Sequence, residues 1–415
     1  MSSELHPSEV PHRRFNPLTN SHVLVSPHRT KRPWKGQVDP PLIQQLPRHT
    51  KDCYLCPGNP RMNGEQNPDF EETYIFENDF PALLQPNPVT VPATTGKATA
   101  AGEEGNDDDD LFQTKPTFGS CKVLTYSPRH DLTLALMSPE EITAVIRCWR
   151  QVYEMEGKTI RDGHAVDERG SLESVGVEGL GDDVGCVNIF ENRGSMMGAS
   201  APHPHGQVWS TSFVPEEPLT ELRSLAAYRK THSNRCLLCT YAQQEVAKRD
   251  RVVVLDEESG FVALVPFWAT WPFEIMVLPY KRHITDLTAI TEDEALGLAR
   301  VLKKILTRYD NLFTTPFPYS MGIHQAPLPP LAQGQAQKTS DDHPAHFHIH
   351  FYPPLLRSSS VRKFLVGFEM MAEAQRDLTA EQAAQRLRDQ SEVHYTESVK
   401  SGEGQAQAEV GKPEA

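Results

Sequence analysis

Hydrophobic positions in this chain form short strand-like runs and a few longer stretches of helical spacing, and the succession of runs occurs twice. In the first pass, Thr73 to Phe76 and Phe80 to Leu84 read as strands around the polar Glu77-Asn78-Asp79. Lys122 to Tyr126 is a further strand and leads to Arg129-His130. Eight residues after His130, Ser138-Pro139-Glu140-Glu141 has the form of a capping box with proline at the first helical position. Ile142, Val145, Ile146, Trp149 and Tyr153 then mark one helical face. Val187 to Phe190 is a strand entering Asn192-Arg193-Gly194, followed by Pro202-His203-Pro204-His205-Gly206-Gln207-Val208-Trp209. In the second pass, Val252 to Leu255 and Phe261 to Val265 flank an acidic turn, and Phe261-Val262-Ala263-Leu264 echoes Phe80-Pro81-Ala82-Leu83. Ile275 to Leu278 leads to Arg282-His283, and eight residues later Thr291-Glu292-Asp293-Glu294 is again a capping box. Ala295, Leu298, Ala299 and Leu302 form its apolar face, and the pass ends in His346-Phe347-His348-Ile349-His350. A Cys-x-x-Cys opens each pass, Cys53-Tyr54-Leu55-Cys56 and Cys236-Leu237-Leu238-Cys239. Matching elements in one order, with one spacing from histidine to helix cap, indicate duplication. The expected class is α+β, with two fused halves that each pack helices on an antiparallel sheet.

Composition sets limits on this picture. The 415 residues carry a formal net charge of -14, which argues against general nucleic-acid binding. No apolar run approaches the roughly 18 residues of a membrane span, and the N-terminus has no signal-like apolar region. Seven cysteines, four of them in the two Cys-x-x-Cys pairs, favour reduced thiols and metal ligation in the cytosol. The expected divisions are an N-terminal arm over 1–52, a first half over 53–215, a second half over 216–396 and a disordered tail over 397–415. Residues 96–110 and 163–183 read as disordered insertions; the acidic run of the first lacks the spaced ligands and glycine of a calcium loop. Ser26 to Trp34 sets three cations beside an aromatic, either solvated surface or an arm that contacts phosphate. A further helix starts at the capping box Thr379-Ala380-Glu381-Gln382.

The chemistry concentrates at 202–209. Alternation places His203, His205 and Gln207 on one face of an extended segment, and Pro204 with Gly206 points to the end or edge of a strand. Cys53-x-x-Cys56 alone suits a zinc knuckle or a redox pair. Tetrahedral zinc needs four thiolate or imidazole ligands, and Cys53, Cys56, His130 and one of His203 and His205 supply them. If the metal takes His203, His205 is left as a base, ligand or nucleophile beside Gln207, whose amide can donate to a phosphoryl oxygen.

His203-Pro204-His205-Gly206-Gln207, together with His350-Phe351-Tyr352-Pro353-Pro354-Leu355-Leu356-Arg357, resembles the galactose-1-phosphate uridylyltransferase family of the histidine-triad superfamily. The likeness covers roughly residues 11–398 outside the insertions. It implies a duplicated histidine-triad-like fold and a ping-pong transfer of UMP from UDP-glucose to galactose-1-phosphate through a uridylyl-histidine at His205, with Gln207 assisting. It implies zinc at Cys53, Cys56, His130 and His203, and iron or zinc at Glu221, His324, His348 and His350. Asn78, Asp79, Asn192, Gly198, Ser200 and Gln207 match nucleotide- or phosphate-binding positions. Lys363, Val366, Phe368, Glu369 and Gln375 match the hexose-phosphate side. Arg29 and Arg32 match an arm that enters the partner subunit's site, which implies a homodimer. The chain departs from relatives at Ala199, where some carry cysteine, and at Phe368, where some carry tyrosine.

Cys236 and Cys239 are absent from some members of that family. The repeat offers them, with His283 and a histidine of 346–350, as a mirror of the first zinc site. The family offers Glu221, His324, His348 and His350 instead. Both draw on one histidine strand, and the family set is preferred. The rival functions are a nucleotide-sugar phosphorylase, a histidine-triad hydrolase, or a non-catalytic zinc-stabilised binding protein. The first two differ from transfer in the acceptor, and the last has no use for a free His205.

Overall fold

The computed structural model describes residues 10–31, 42, 46–85, 117–166, 185–328, 343–363 and 365–400. Its strands are β1 (His12–Asn16), β2 (Ser21–Val25), β3 (Tyr74–Glu77), β4 (Gly119–Thr125), β5 (Cys186–Arg193), β6 (His205–Thr211), β7 (Val252–Asp256), β8 (Phe261–Leu264), β9 (Ile275–Pro279), β10 (Tyr319–His324), β11 (His348–Tyr352) and β12 (Ala374–Arg376). Its helices are α1 (Pro139–Val166), α2 (Glu216–Thr231), α3 (Leu237–Lys248), α4 (Glu292–Leu312), α5 (Phe368–Met371), α6 (Ala380–Arg388) and α7 (Tyr395–Lys400).

One nine-stranded sheet runs in the order β3-β4-β6-β5-β10-β11-β9-β8-β7. Every neighbouring pair in it is antiparallel. The order is nearly symmetric about the β5–β10 pair: β6, β4 and β3 follow on one side, β11, β9 and β8 on the other. The expected α+β class and its doubled plan are therefore present, but the two antiparallel sheets are joined edge to edge into one.

All three predicted caps, at Ser138, Thr291 and Thr379, close as drawn. Ser138 and Glu141 exchange hydrogen bonds at the start of α1, and Thr291 and Glu294 do so at α4. The apolar faces of these two helices, Ile142, Val145, Ile146 and Trp149 with Leu298, Leu302 and Ile305, meet in one core. α1 lies on β5 and β6, and α4 lies on β7 and β8. In β8 and β9, Phe261, Ala263, Ile275 and Val277 face that core, while Val262, Leu264, Met276 and Leu278 face a second one beneath α3. Burial on both faces accounts for the uninterrupted apolar runs of the second half. In β5 and β6 only Val187, Ile189 and Val208 belong to the core, and the alternate residues turn to the other face.

Two expectations need correction. Phe80 to Leu84 is not a strand: Phe80 and Leu84 are exposed, and Pro81 has no N–H to give a ladder. The histidine segment does stand at the end of a strand, but not at a sheet edge. β6 lies between β4 and β5, and Pro204 stands just before it, offering only its carbonyl to Tyr126 N at 2.9 Å. The N-terminal segment includes a hairpin, β1 with β2, onto which β12 adds in parallel to make a three-stranded sheet. Arg14 anchors it, bonding Glu381 at 3.0 Å and lying over the Phe267 ring.

The helices α1 and α7 reach Val166 and Lys400, a few residues into the segments expected to be disordered. Residues 96–110, 167–183 and 401–415 lie outside the described residues, as does Arg32. No described helix is long and apolar enough to cross a membrane.

Candidate active site and metal centres

Because Pro204 precedes β6, the strand begins at His205 and its odd-numbered residues face away from α1. Asn192, Gly198, Ala199, Ser200, His205, Gly206 and Gln207 line a pocket there of about 50 Å³. His205 Nδ1 lies 2.8 Å from the carbonyl oxygen of His203. A carbonyl can only accept, so Nδ1 carries the proton and Nε2 keeps the lone pair. Burial pushes the His205 pKa down, keeping the ring neutral. Trp209 Nε1 donates to Gln207 Oε1 at 3.2 Å, which leaves the Gln207 NH2 group to donate elsewhere. Asn192 Oδ1 is likewise taken by Ser320 at 2.7 Å, and Ser200 Oγ is 2.8 Å from the Tyr54 hydroxyl. Gly198, at φ 82°, closes the turn before the pocket in a conformation that favours glycine.

Gly206 is required by close approach. A Cβ there would stand 2.3 Å from the Tyr126 hydroxyl and 3.0 Å from the Phe190 carbonyl oxygen. Tyr126 is buried with Trp149 at its edge, so it has no room to withdraw. Gly206→Ala should cost about 1–3 kcal/mol of stability and displace His205. A denaturant melt beside a transfer assay checks this; an unchanged midpoint would show that the strand can shift without loss.

Cys53, Cys56, His130 and His203 come together with one ligand atom each, all within 4.8 Å of one another. Cys56 Sγ is 3.6 Å from His130 Nδ1 and 3.5 Å from His203 Nδ1. Bonds of about 2.3 Å to sulfur and about 2.0–2.1 Å to nitrogen give tetrahedral edges of roughly 3.6 Å for sulfur to nitrogen. His203 Nε2 donates to Ser127 O at 2.8 Å, so its Nδ1 is the free ligand nitrogen. Burial holds His203 down at about 4 and pushes the Cys53 thiol up to about 11, the second a cost that a bound cation reverses. This donor set fits zinc.

Glu221, His324, His348 and His350 form another such group. Glu221 Oε2 is 2.6 Å from His324 Nδ1 and 3.3 Å from His348 Nε2, and Oε1 is 3.5 Å from His350 Nε2. Burial opposes the charge on Glu221, but His324 and His348 hold its carboxyl well below the usual range. His348 Nε2 and both ring nitrogens of His350 are buried without a hydrogen-bond partner, a state that a cation would relieve. Imidazole and carboxylate donors suit zinc or iron.

Cys236, Cys239, His283 and His346 make a third group. The two expected alternatives therefore do not compete. His346 turns to the cysteines, and His348 and His350 turn to Glu221. Sequence reasoning left open which histidine of 346–350 would serve the cysteines, and the offset between His203 and His205 was the available signal.

Other predicted residues lie outside the small pocket. Asn78 Oδ1 accepts from Phe80 N, and Asp79 stands 3.8 Å from buried Arg61. Lys363 ion-pairs with Glu369 and bonds Gln375 at 3.3 Å. Gln375 in turn bonds Asp377 at 2.7 Å, and Asp377 meets Arg29 at 3.2 Å. Val366 and Phe368, beside them, are exposed. Trp209 was not singled out from the sequence, although it orients Gln207. A wider cleft of about 870 Å³ between β7, α4 and α6 contains none of the predicted residues.

An imidazole with a free Nε2 and three metal-competent clusters therefore sit on one duplicated antiparallel sheet. The models for the galactose-1-phosphate uridyl transferase N-terminal and C-terminal domains match residues 2–215 and 221–399. The chain belongs to this family. It is 53% identical to the galactose-1-phosphate uridylyltransferase of Cryptococcus neoformans over 378 residues, covering 91% of this chain and 90% of the other. It is 44% identical to that of Haemophilus influenzae over 400 residues, 96% of this chain and all of the other. For the Rattus norvegicus enzyme the figures are 45% over 408 residues, 98% and 95%. A solved uridylyltransferase structure aligns at TM-score 0.61 and 27% identity, covering 91% of this chain and 97% of that one. An ADP-glucose phosphorylase from Arabidopsis thaliana shares the fold at TM-score 0.61 and 22% identity, covering 92% and 99%.

Proposed function

We propose that this nucleotidyltransferase of galactose metabolism moves UMP from UDP-glucose to galactose-1-phosphate by two displacements at His205. In the first, Nε2 attacks the α-phosphorus, the phosphorus–oxygen bond breaks, and glucose-1-phosphate leaves with the electron pair. In the second, a phosphate oxygen of galactose-1-phosphate attacks the same phosphorus. The phosphorus–nitrogen bond breaks, its pair returns to Nε2, and UDP-galactose leaves. Nδ1 keeps its proton on the His203 carbonyl throughout, which spreads the positive charge of the uridylylated ring. That hydrogen bond is the observation that carries the reading. The Gln207 amide donates to the phosphoryl oxygens as charge builds there. Asn192, Gly198 and Ser200, in the same pocket, take the nucleotide phosphates.

Zinc at Cys53, Cys56, His130 and His203 is structural, since four protein ligands leave no open position. Zinc or iron at Glu221, His324, His348 and His350 ties α2 to β10 and β11. The hexose-phosphate residues Lys363, Val366, Phe368, Glu369 and Gln375 do not line the His205 pocket of their own chain. Exposed Val366, Phe368, Met370 and Met371 beside them offer an apolar surface. Both features support a homodimer in which this cluster and the arm carrying Arg29 and Arg32 complete the partner's site. Phe368 gives the sugar no hydroxyl contact, and Ala199 gives no thiol. All seven cysteines are free, which supports work in the cytosol. The two halves are assigned to 53–215 and 216–396, with 1–52 as the arm and 397–415 as the tail.

Incubation with UDP-glucose alone should release glucose-1-phosphate and leave a uridylyl adduct on a peptide containing His205. Release without an adduct, or inorganic phosphate acting as a better acceptor than galactose-1-phosphate, would replace this reading with the hydrolase or phosphorylase one. Gln207→Ala should keep the full metal content and slow both half-reactions by about 10²–10³-fold, the scale of one lost charge-stabilising donor. Metal analysis with single-turnover kinetics checks it; loss of metal at normal rate would make Gln207 a structural residue.

A further inference from the structure

We infer that Cys236, Cys239, His283 and His346 bind a third metal ion, a zinc-class divalent cation in tetrahedral coordination, and that this ion positions His348 for the Glu221 centre. The site itself stands apart from the transfer chemistry, and its positioning role rests on the metal proposed above at Glu221.

The geometry of the cluster is that of a loaded site. Cys236 Sγ is 3.5 Å from His346 Nδ1, and Cys239 Sγ is 3.4 Å from His346 Nδ1 and 3.7 Å from His283 Nδ1. A tetrahedral zinc with two thiolates and two imidazoles requires roughly 3.6 Å for these edges, and roughly 3.3 Å from nitrogen to nitrogen. The two Nδ1 atoms are 3.3 Å apart. His283 Nε2 lies 3.0 Å from His343 O, and His346 Nε2 lies 3.2 Å from Pro279 O. Carbonyls only accept, so both protons of the neutral rings are on Nε2. Two lone pairs therefore face each other across 3.3 Å with two sulfurs beside them, an arrangement that calls for a cation between them.

The cluster also repeats the donor pattern of the first. Each has a Cys-x-x-Cys pair, Nδ1 as the ligand nitrogen, and an Nε2–H held by the carbonyl of a residue at or just after a strand end, Ser127 after β4 or Pro279 in β9. The consequence one step along the chain is repeated too. His203 O accepts from His205 Nδ1 at 2.8 Å, and His346 O accepts from His348 Nδ1 at 2.7 Å. In the first half this bond prepares a nucleophile. In the second it turns the lone pair of His348 Nε2 toward Glu221, 3.3 Å away. A cation that fixes His346 thereby sets the tautomer of a ligand in the neighbouring centre.

The test uses the full chain, with metal counted by mass spectrometry and then replaced by cobalt(II), whose thiolate complexes absorb in the near ultraviolet. The wild type should hold three equivalents per chain, two of them cobalt–thiolate. Cys236→Ser with Cys239→Ser should lose one equivalent and half of that absorption, and its Glu221 centre should bind metal about 10–100-fold more weakly. Cys53→Ser with Cys56→Ser should keep one cobalt–thiolate centre, so failure of the first site and failure of this one give different patterns. Full metal and full absorption in a folded Cys236/Cys239 variant would overturn the proposal. So would loss of all thiolate absorption in a folded Cys53/Cys56 variant, which covers the case in which the other does not fold. An unchanged Glu221 centre after loss of the third ion would overturn the positioning role.

Discussion

His205→Gly should abolish exchange between UDP-glucose and galactose-1-phosphate, with a loss on the order of 10⁴–10⁶-fold, the scale of removing a covalent nucleophile. The substitution removes the ring but leaves His203 with its metal-facing Nδ1 and its bond to Ser127. Metal content should therefore hold, and stability should change by only about 1 kcal/mol for the lost Nδ1–carbonyl bond. The vacated volume also predicts a rescue. A uridylyl donor activated by imidazole brings its own ring and bypasses the first displacement, so transfer from it to galactose-1-phosphate should return. Full activity of the variant with UDP-glucose would remove His205 from the mechanism. A metal-free, unfolded variant would leave the rescue absent for a visible structural reason, and His205→Asn would then carry the same rate test.

Cys53→Ser should lower bound metal by one equivalent per chain and melt earlier than the wild type. Its four ligands come from a loop, the turn after β4 and the segment before β6, so the ion cross-links about 150 residues of chain. A ligand held at a thousand times its Kd contributes about 4 kcal/mol, which for a chain of 415 residues corresponds to a fall of roughly 5 °C in Tm. Activity should fall as well, because the carbonyl that orients His205 belongs to the metal ligand His203. The kinetic signature is a lower kcat for both half-reactions, without the complete block expected of His205→Gly. Unchanged metal with unchanged Tm would exclude Cys53 as a ligand.

Local order was readable wherever one residue type dictates a local bond. Ser138, Thr291 and Thr379 announced their caps because a hydroxyl and a carboxylate or amide three residues on can satisfy each other in any context. The doubled plan was readable because each half must bury the same faces. Cys53-x-x-Cys56 alone suited a zinc knuckle or a redox pair, and metal chemistry was marked only when the two thiols were taken together with His130 and the His-x-His pair, four donors of the kind tetrahedral zinc needs.

What the sequence left undecided depended on contacts distant along the chain. Pro204 and Gly206 are compatible with an edge strand, but the proline precedes β6 and the glycine makes room for Tyr126, so the strand is central. Phe80 to Leu84 has the composition of a strand and lacks the N–H at Pro81 to join one. Whether His348 serves the cysteines or Glu221 is settled by α2 and α3, which bring Glu221 and the Cys236-x-x-Cys239 pair to different stretches of one histidine run. Residue type and spacing alone determined which donors this protein has. Their division among three clusters and one open imidazole was decided by tertiary packing, because each ligand's partner is set by the element that approaches it across the sheet.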